Sequence, residues 1–188
     1  MRTQRQLVLY ESILQVLREP GCPICRFLKE YQAVRLQKRS ESETHRLCNF
    51  HAWGLAAVQD APAAAQAFIG ILSQPELNAN GAQACDVCSE VAAEEDLRLR
   101  ELAACLHRPS VADWLRQEAV LCIPHAARLR PRVPLALASR IDALVQNYRR
   151  QLKGELDRLR HEPGMDRSGW GALGRAAEFL VSQRGVRI

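Results

Sequence analysis

Four residue pairs in this chain have the types and spacing of metal ligands: Cys22 and Cys25, Cys48 and His51, Cys85 and Cys88, Cys122 and His125. They follow one another as C-x2-C, C-x2-H, C-x2-C, C-x2-H. Six of the seven cysteines and two of the five histidines fall into this pattern, and only Cys105 stands outside it. Chance placement does not produce that order twice, so the chain reads as an internal repeat. Three thiolates and one imidazole satisfy a tetrahedral Zn²⁺ ion, with two ligands presented by each of two chain segments. On a helix, positions i and i+3 share a face, so both members of a pair can converge on one ion. Each repeat therefore offers one complete Cys3His site: Cys22, Cys25, Cys48 and His51 in the first, Cys85, Cys88, Cys122 and His125 in the second. The spacing leaves open whether two adjacent modules exchange a pair.

Other chemistries for the same residues meet specific objections. A thioredoxin-like redox pair wants a preceding strand and a βαβ context, and no strand pattern of any length is present. Covalent haem attachment needs C-x-x-C-H, but Arg26 and Ser89 hold the histidine place. An iron–sulfur cluster is the standing alternative, because thiolate sets with one histidine also hold iron. Six buried apolar cysteines with no ion form the bland alternative. Zinc ribbons place a glycine after the knuckle and lie between strands. Here the ligand pairs are separated by 22 and 33 residues of helical pattern, which predicts a metal-pinned helical hairpin.

The elements that must position these ligands are all helical. Ala, Leu and Arg dominate, and such residues lose little side-chain entropy in a helix. A first helix is expected over 3–18, ended by Pro20-Gly21. A long one follows from about 23 to 39, then the polar turn SESET, and Cys48 opens a helix through Val58. AAAQAFIGIL continues after Pro62, and ELNANGAQ reads as the linker between repeats. The second repeat opens with a helix from Ala84 to about Leu106. Ser110 is placed to cap a short helix carrying Trp114, and Cys122 opens another that ends near Pro131. From Pro134 an amphipathic helix runs to about His161 on a stripe of Leu137, Ile141, Leu144, Val145, Tyr148, Leu152, Leu156 and Leu159. A tail helix carries Trp170, Leu173, Ala177, Leu180 and Val181 on its apolar side. Pro23 and Pro124 suit the first helical turn, where an N–H is dispensable. All four ligand pairs thus open helices, where free N–H groups favour thiolate.

C-P-x-C opening a helix, then L-C-x-x-H with Trp53 shortly after, then a second such set, resembles an uncharacterised bacterial family known only as a domain of unknown function with paired Cys/His motifs. The resemblance covers residues 21–125 and, more loosely, the tryptophan-containing tail. It implies metal binding, a helical fold and bacterial origin, and it carries no activity.

The remaining residues narrow the function. A hydrophobic content of 47% with 25% charged residues is that of a globular protein. No apolar run reaches the roughly 20 residues that span a bilayer. The N-terminus lacks a signal-peptide pattern, so a cytoplasmic protein is expected, in which seven cysteines point to metal or thiol redox chemistry rather than disulfides. There is no phosphate loop, nucleophile elbow, zincin motif or dinucleotide fingerprint. A catalytic zinc keeps one position open, and four protein ligands close it. Trp53 is expected to shield the first metal from water, and Cys105 to be a core residue. Trp114 and Trp170 are core residues or partner anchors. His45, His107 and His161 are spare. Residues 1–125 hold 13 Lys+Arg against 15 Asp+Glu, and residues 126–188 hold 13 against 6. The basic third, with Arg128, Arg130, Arg132, Arg149, Arg150, Lys153, Arg158 and Arg160, suits either a solvated helix face or nucleic acid, although no aromatics interleave for base stacking. The expectation is an all-α protein. Its modules are a first Cys3His module within 1–78, a second within 84–161 that includes the long helix, and a tail helix within 162–188. Each Cys3His module is pinned by one Zn²⁺. Such a protein acts by interaction with a protein partner rather than by catalysis; a redox or iron–sulfur sensor and a nucleic-acid binder are the alternatives.

Overall fold

The computed structural model describes residues 11, 13–17, 21–38, 47–73, 85–117, 120–161 and 168–182. Every regular element among them is helical. After a helical stretch at 13–17 come α1 (Pro23–Gln37), α2 (Asn49–Val58), α3 (Ala61–Leu72), α4 (Asp86–Cys105), α5 (Pro109–Gln117), α6 (Ile123–Leu129), a single 3-10 turn (Arg130–Arg132), α7 (Leu135–His161) and α8 (Ser168–Val181). The SESET turn and the ELNANGAQ linker lie outside the described residues, as do most of the expected first helix and His45.

Local chemistry accounts for the boundaries. Gly21 has φ +97°, a conformation that L side chains rarely adopt, and it turns the chain immediately before Cys22. Pro23 then opens α1 without needing an N–H partner. Asp60 caps α3 by accepting from the Ala63 N–H at 2.9 Å, and Pro62 stands in its first turn. The Ser73 hydroxyl donates to the Ile69 carbonyl at the other end. Ser110 is not a cap: α5 begins one residue earlier at Pro109, leaving Ser110 inside the first turn.

The chain forms two compact units. One comprises the segment up to Phe27 and the chain from Asp96 onward; the other is Leu28–Glu95. In order of sequence, the second unit is therefore an insertion within the first. In the first unit α7 packs along α8, while α6 packs against both and α5 packs against α7. The core includes Ile13, Ile24, Leu99, Leu129, Ile141 and Leu152. The α7 stripe is realised: Ile141 and Leu152 are buried and the other six positions are half-buried. Tyr148 meets Phe179 of α8 edge to face at 5.2 Å. The tail helix departs from its expected face. Ala172 and Phe179 are buried, whereas Leu173, Ala177, Leu180 and Val181 point outward. Phe179 buries more apolar area than any of those four, and seating it against Tyr148 sets the helix's rotation.

In the second unit α2 packs against α3, and α2 comes so close to α1 at Gly54 that an added Cβ would lie 3.0 Å from the Leu36 side chain. Gln59 just beyond α2 donates to the Leu36 carbonyl at 2.8 Å. Leu28, Leu36, Leu55, Val87 and Val91 are buried there. Arg35 and Glu90 join α1 and α4 at 2.7 Å across the surface, a pair that contributes little at that exposure.

Candidate metal centres

All eight Cys and His ligands come together, but in two groups that cross the repeat. Cys22, Cys25, Cys122 and His125 form one cluster, and Cys48, His51, Cys85 and Cys88 form the other. Within each, every ligand atom lies within 4.8 Å of the others, and each set could hold one metal ion. The expected in-repeat sites, Cys22-Cys25-Cys48-His51 and Cys85-Cys88-Cys122-His125, are thus corrected: a C-x2-C of one repeat joins the C-x2-H of the other. The pairs are nested along the chain, outer with outer and inner with inner. The first cluster lies wholly in the first unit and the second wholly in the second. The physical reason is packing: Leu28–Glu95 buries its own apolar face, which leaves the flanking segments to close on each other.

Both C-x2-H pairs are built alike. Cys48 and Cys122 are helix N-caps with extended backbone, φ −72°, ψ 164° and φ −65°, ψ 155° respectively. The histidine follows in the first turn and swings back beside its cysteine. In both clusters Nδ1 is the nitrogen that faces sulfur. His125 Nδ1 lies 3.4, 3.3 and 3.0 Å from Cys22, Cys25 and Cys122. His51 Nδ1 lies 3.3, 3.3 and 3.4 Å from Cys48, Cys85 and Cys88. One sulfur–sulfur separation in each cluster is 3.7 Å, Cys25–Cys122 and Cys48–Cys88. No cysteine is in a disulfide.

Thiols this close cannot all ionise by themselves. Burial opposes the Cys22 thiolate, yet contacts from Cys122, Cys25 and His125 outweigh it and hold Cys22 well below the ordinary thiol range. Cys122 is pushed up by its contacts with Cys22 and Cys25 and by burial. Cys25 is pulled down by Cys122, but Cys22 and burial win and raise it. In the second cluster burial and the neighbouring Cys48 and Cys85 push Cys88 up to about 12. Burial works against the Cys48 thiolate, and the N–H groups of His51 and Phe50 at the helix start, with Cys88 and Cys85, lower it overall without forming a full cap hydrogen bond. A bound metal cation would let three such thiolates coexist.

Other singled-out residues fall differently. Cys105 is buried and its thiol is pushed up by burial, an inert core cysteine. Trp53 does not shield a metal: it is 73% exposed. Two positions beyond His51 is about 200° around a helix, so the histidine turns inward and the tryptophan outward. Trp114 is half-buried, and the Trp170 side chain lies outside the described residues. His107 is exposed, and His161 ends α7 with its Nδ1 2.7 Å from the Asp157 carbonyl. Part of the basic third is already committed, since Arg130 pairs with Asp142, Arg132 with Asp96 and Arg175 with Glu155. Two features go beyond the sequence reading: the nesting of the pairs, an exchange that the spacing left open, and the unequal burial of the clusters. The seven other ligand side chains are all 8% exposed or less, whereas Cys48 is partly open to solvent. Comparison of the chain with family models, curated proteins and solved structures finds no match.

Proposed function

We propose that this is a zinc-binding, non-catalytic cytoplasmic protein whose two ions hold a helical scaffold for interaction with a protein partner. The observation that carries the reading is the pair of four-ligand clusters, each made entirely of protein donors. A four-coordinate ion so enclosed has no position for water or substrate, which is the hallmark of structural zinc. Distances support a single ion in each. With Zn–S near 2.3 Å and Zn–N near 2.0–2.1 Å, a tetrahedron has sulfur–sulfur edges of about 3.8 Å and sulfur–nitrogen edges of about 3.5 Å. The 3.7 Å sulfur pairs match the first, and the 3.0–3.4 Å sulfur–nitrogen contacts are slightly tighter than the second. An iron–sulfur cluster spreads its cysteines over different iron atoms with sulfides between them, which needs wider spacing.

Interaction is supported by apolar side chains left outside the cores. Trp53, Ile69 and Leu72 are 73%, 56% and 75% exposed in the second unit. Leu173, Leu180 and Val181 are exposed on α8 of the first. No helix among the described residues is long and apolar enough to cross a membrane. Elemental analysis of protein purified without oxygen tests the reading: two zinc per chain and no visible colour are expected. Iron with acid-labile sulfide, or no bound metal, would overturn it.

A further inference from the structure

The two clusters share a ligand set and a backbone plan, yet they differ in access. In the first unit Cys22, Cys25, Cys122 and His125 are 8%, 1%, 1% and 0% exposed. In the second, His51, Cys85 and Cys88 are buried, and Cys48 alone is partly open. Cys122 serves as an internal control, since it occupies the same N-cap position with nearly the same φ and ψ. What differs is the flank. Leu121, just before Cys122, is 2% exposed, whereas Leu47, just before Cys48, is only half-buried and Phe50, two residues on, is 41% exposed. A second thiol, Cys88, lies 3.7 Å from the Cys48 sulfur.

We infer that Cys48 is an oxidative modification site, open to hydrogen peroxide that cannot reach the first centre, and that its oxidation discharges the second metal alone. The inference rests on the metal-binding reading above. In the first step the Cys48 thiolate attacks the peroxide oxygen. An S–O bond forms, the O–O bond breaks, and hydroxide leaves, giving a sulfenic acid. In the second step the Cys88 thiolate attacks the Cys48 sulfur, the S–O bond breaks, and a second hydroxide leaves. The two thiolates lose two electrons and the peroxide gains them, while zinc keeps its charge throughout. The product is a Cys48–Cys88 disulfide, and an ion reduced to Cys85 and His51 is no longer held. Oxidation thus alters the second unit while the first keeps its cation.

The test uses the full chain with both metals bound. Hydrogen peroxide is added in modest excess, metal release is followed with a chromogenic zinc chelator, and reactive cysteines are mapped by alkylation and peptide mass spectrometry. One metal equivalent should be released at least about tenfold faster than the other, with Cys48 the first cysteine modified and Cys48–Cys88 the disulfide. Release of both metals at one rate, or first modification at Cys22, Cys25 or Cys122, would overturn the assignment. Metal-free purified protein would instead sink the zinc reading, and peptide mapping would still report whether Cys48 reacts first.

Discussion

Serine substitutions taken two at a time separate nested ligand pairing from in-order pairing. Cys22 and Cys122 serve one centre, and Cys48 serves the other. Cys22→Ser combined with Cys122→Ser should therefore leave one metal per chain, whereas Cys22→Ser combined with Cys48→Ser should leave none. In-order pairing reverses both outcomes. Stability follows the same logic, with a magnitude set by the distances along the chain. The first centre ties Cys25 to Cys122 across 97 positions, and the second ties His51 to Cys85 across 34. Holding the ends of such loops together costs about 4.7 and about 3.8 kcal/mol of chain entropy by polymer estimates. With the ion gone, side-chain packing must support that closure unaided. Cys22→Ser should thus destabilise by about 4–5 kcal/mol, and adding Cys122→Ser by only about 1 kcal/mol more, a coupling of about 4 kcal/mol. The Cys22/Cys48 pair should instead be additive. Denaturant titrations followed by circular dichroism, in zinc-buffered solution and alongside elemental analysis, measure both quantities. Coupling between Cys22 and Cys48 with additivity between Cys22 and Cys122 would refute the nested arrangement.

Loading a metal should release protons, because Cys88, pushed up to about 12 by burial and by Cys48 and Cys85, carries a proton at neutral pH that the ion must displace. Affinity should accordingly rise with pH through the neutral range and fall on acidification, as read by pH-stat titration and chelator competition. Gly21→Ala forces a side chain into φ +97° just before Cys22; a loss of about 1–2 kcal/mol is expected, together with weaker metal retention at the first centre only, checked by thermal melts and chelator challenge. Trp53→Ala should leave metal content unchanged and stability within about 0.5 kcal/mol of the parent, since its side chain lies in solvent. Ile141→Ala, at a fully buried position of α7, should cost about 2–5 kcal/mol in the same assay.

The ligands and helices were legible in the sequence because their signals are local. Cys48 and Cys122 announce themselves as helix openers through the C-x2-H spacing, and the α7 stripe repeats at three and four residues over the helix's whole length. Pairing was not legible, because C-x2-C of either repeat complements C-x2-H of either repeat equally well, and only the packing of Leu28–Glu95 into its own unit decides. The tail helix misled for a related reason. Leu173, Ala177, Leu180 and Val181 make a regular stripe, but Phe179 meets Tyr148, and that tertiary contact outweighs the periodic pattern. Trp53 stands close to the ligands in sequence, but about 200° around the helix from the buried His51 it faces solvent.

Nesting also sets an order for the growing polypeptide. On a ribosome the first complete three-thiol, one-imidazole quartet to emerge is Cys22, Cys25, Cys48 and His51, which is a non-native one. The native inner set is complete only at Cys88, and the outer set waits until His125. At about 5–20 residues per second, Cys22 and Cys25 spend roughly 5–20 s without their proper mates. On the metal-binding reading, an ion captured early would be held by the wrong four side chains, and loading during synthesis would have to stay exchangeable until the last histidine has left the exit tunnel.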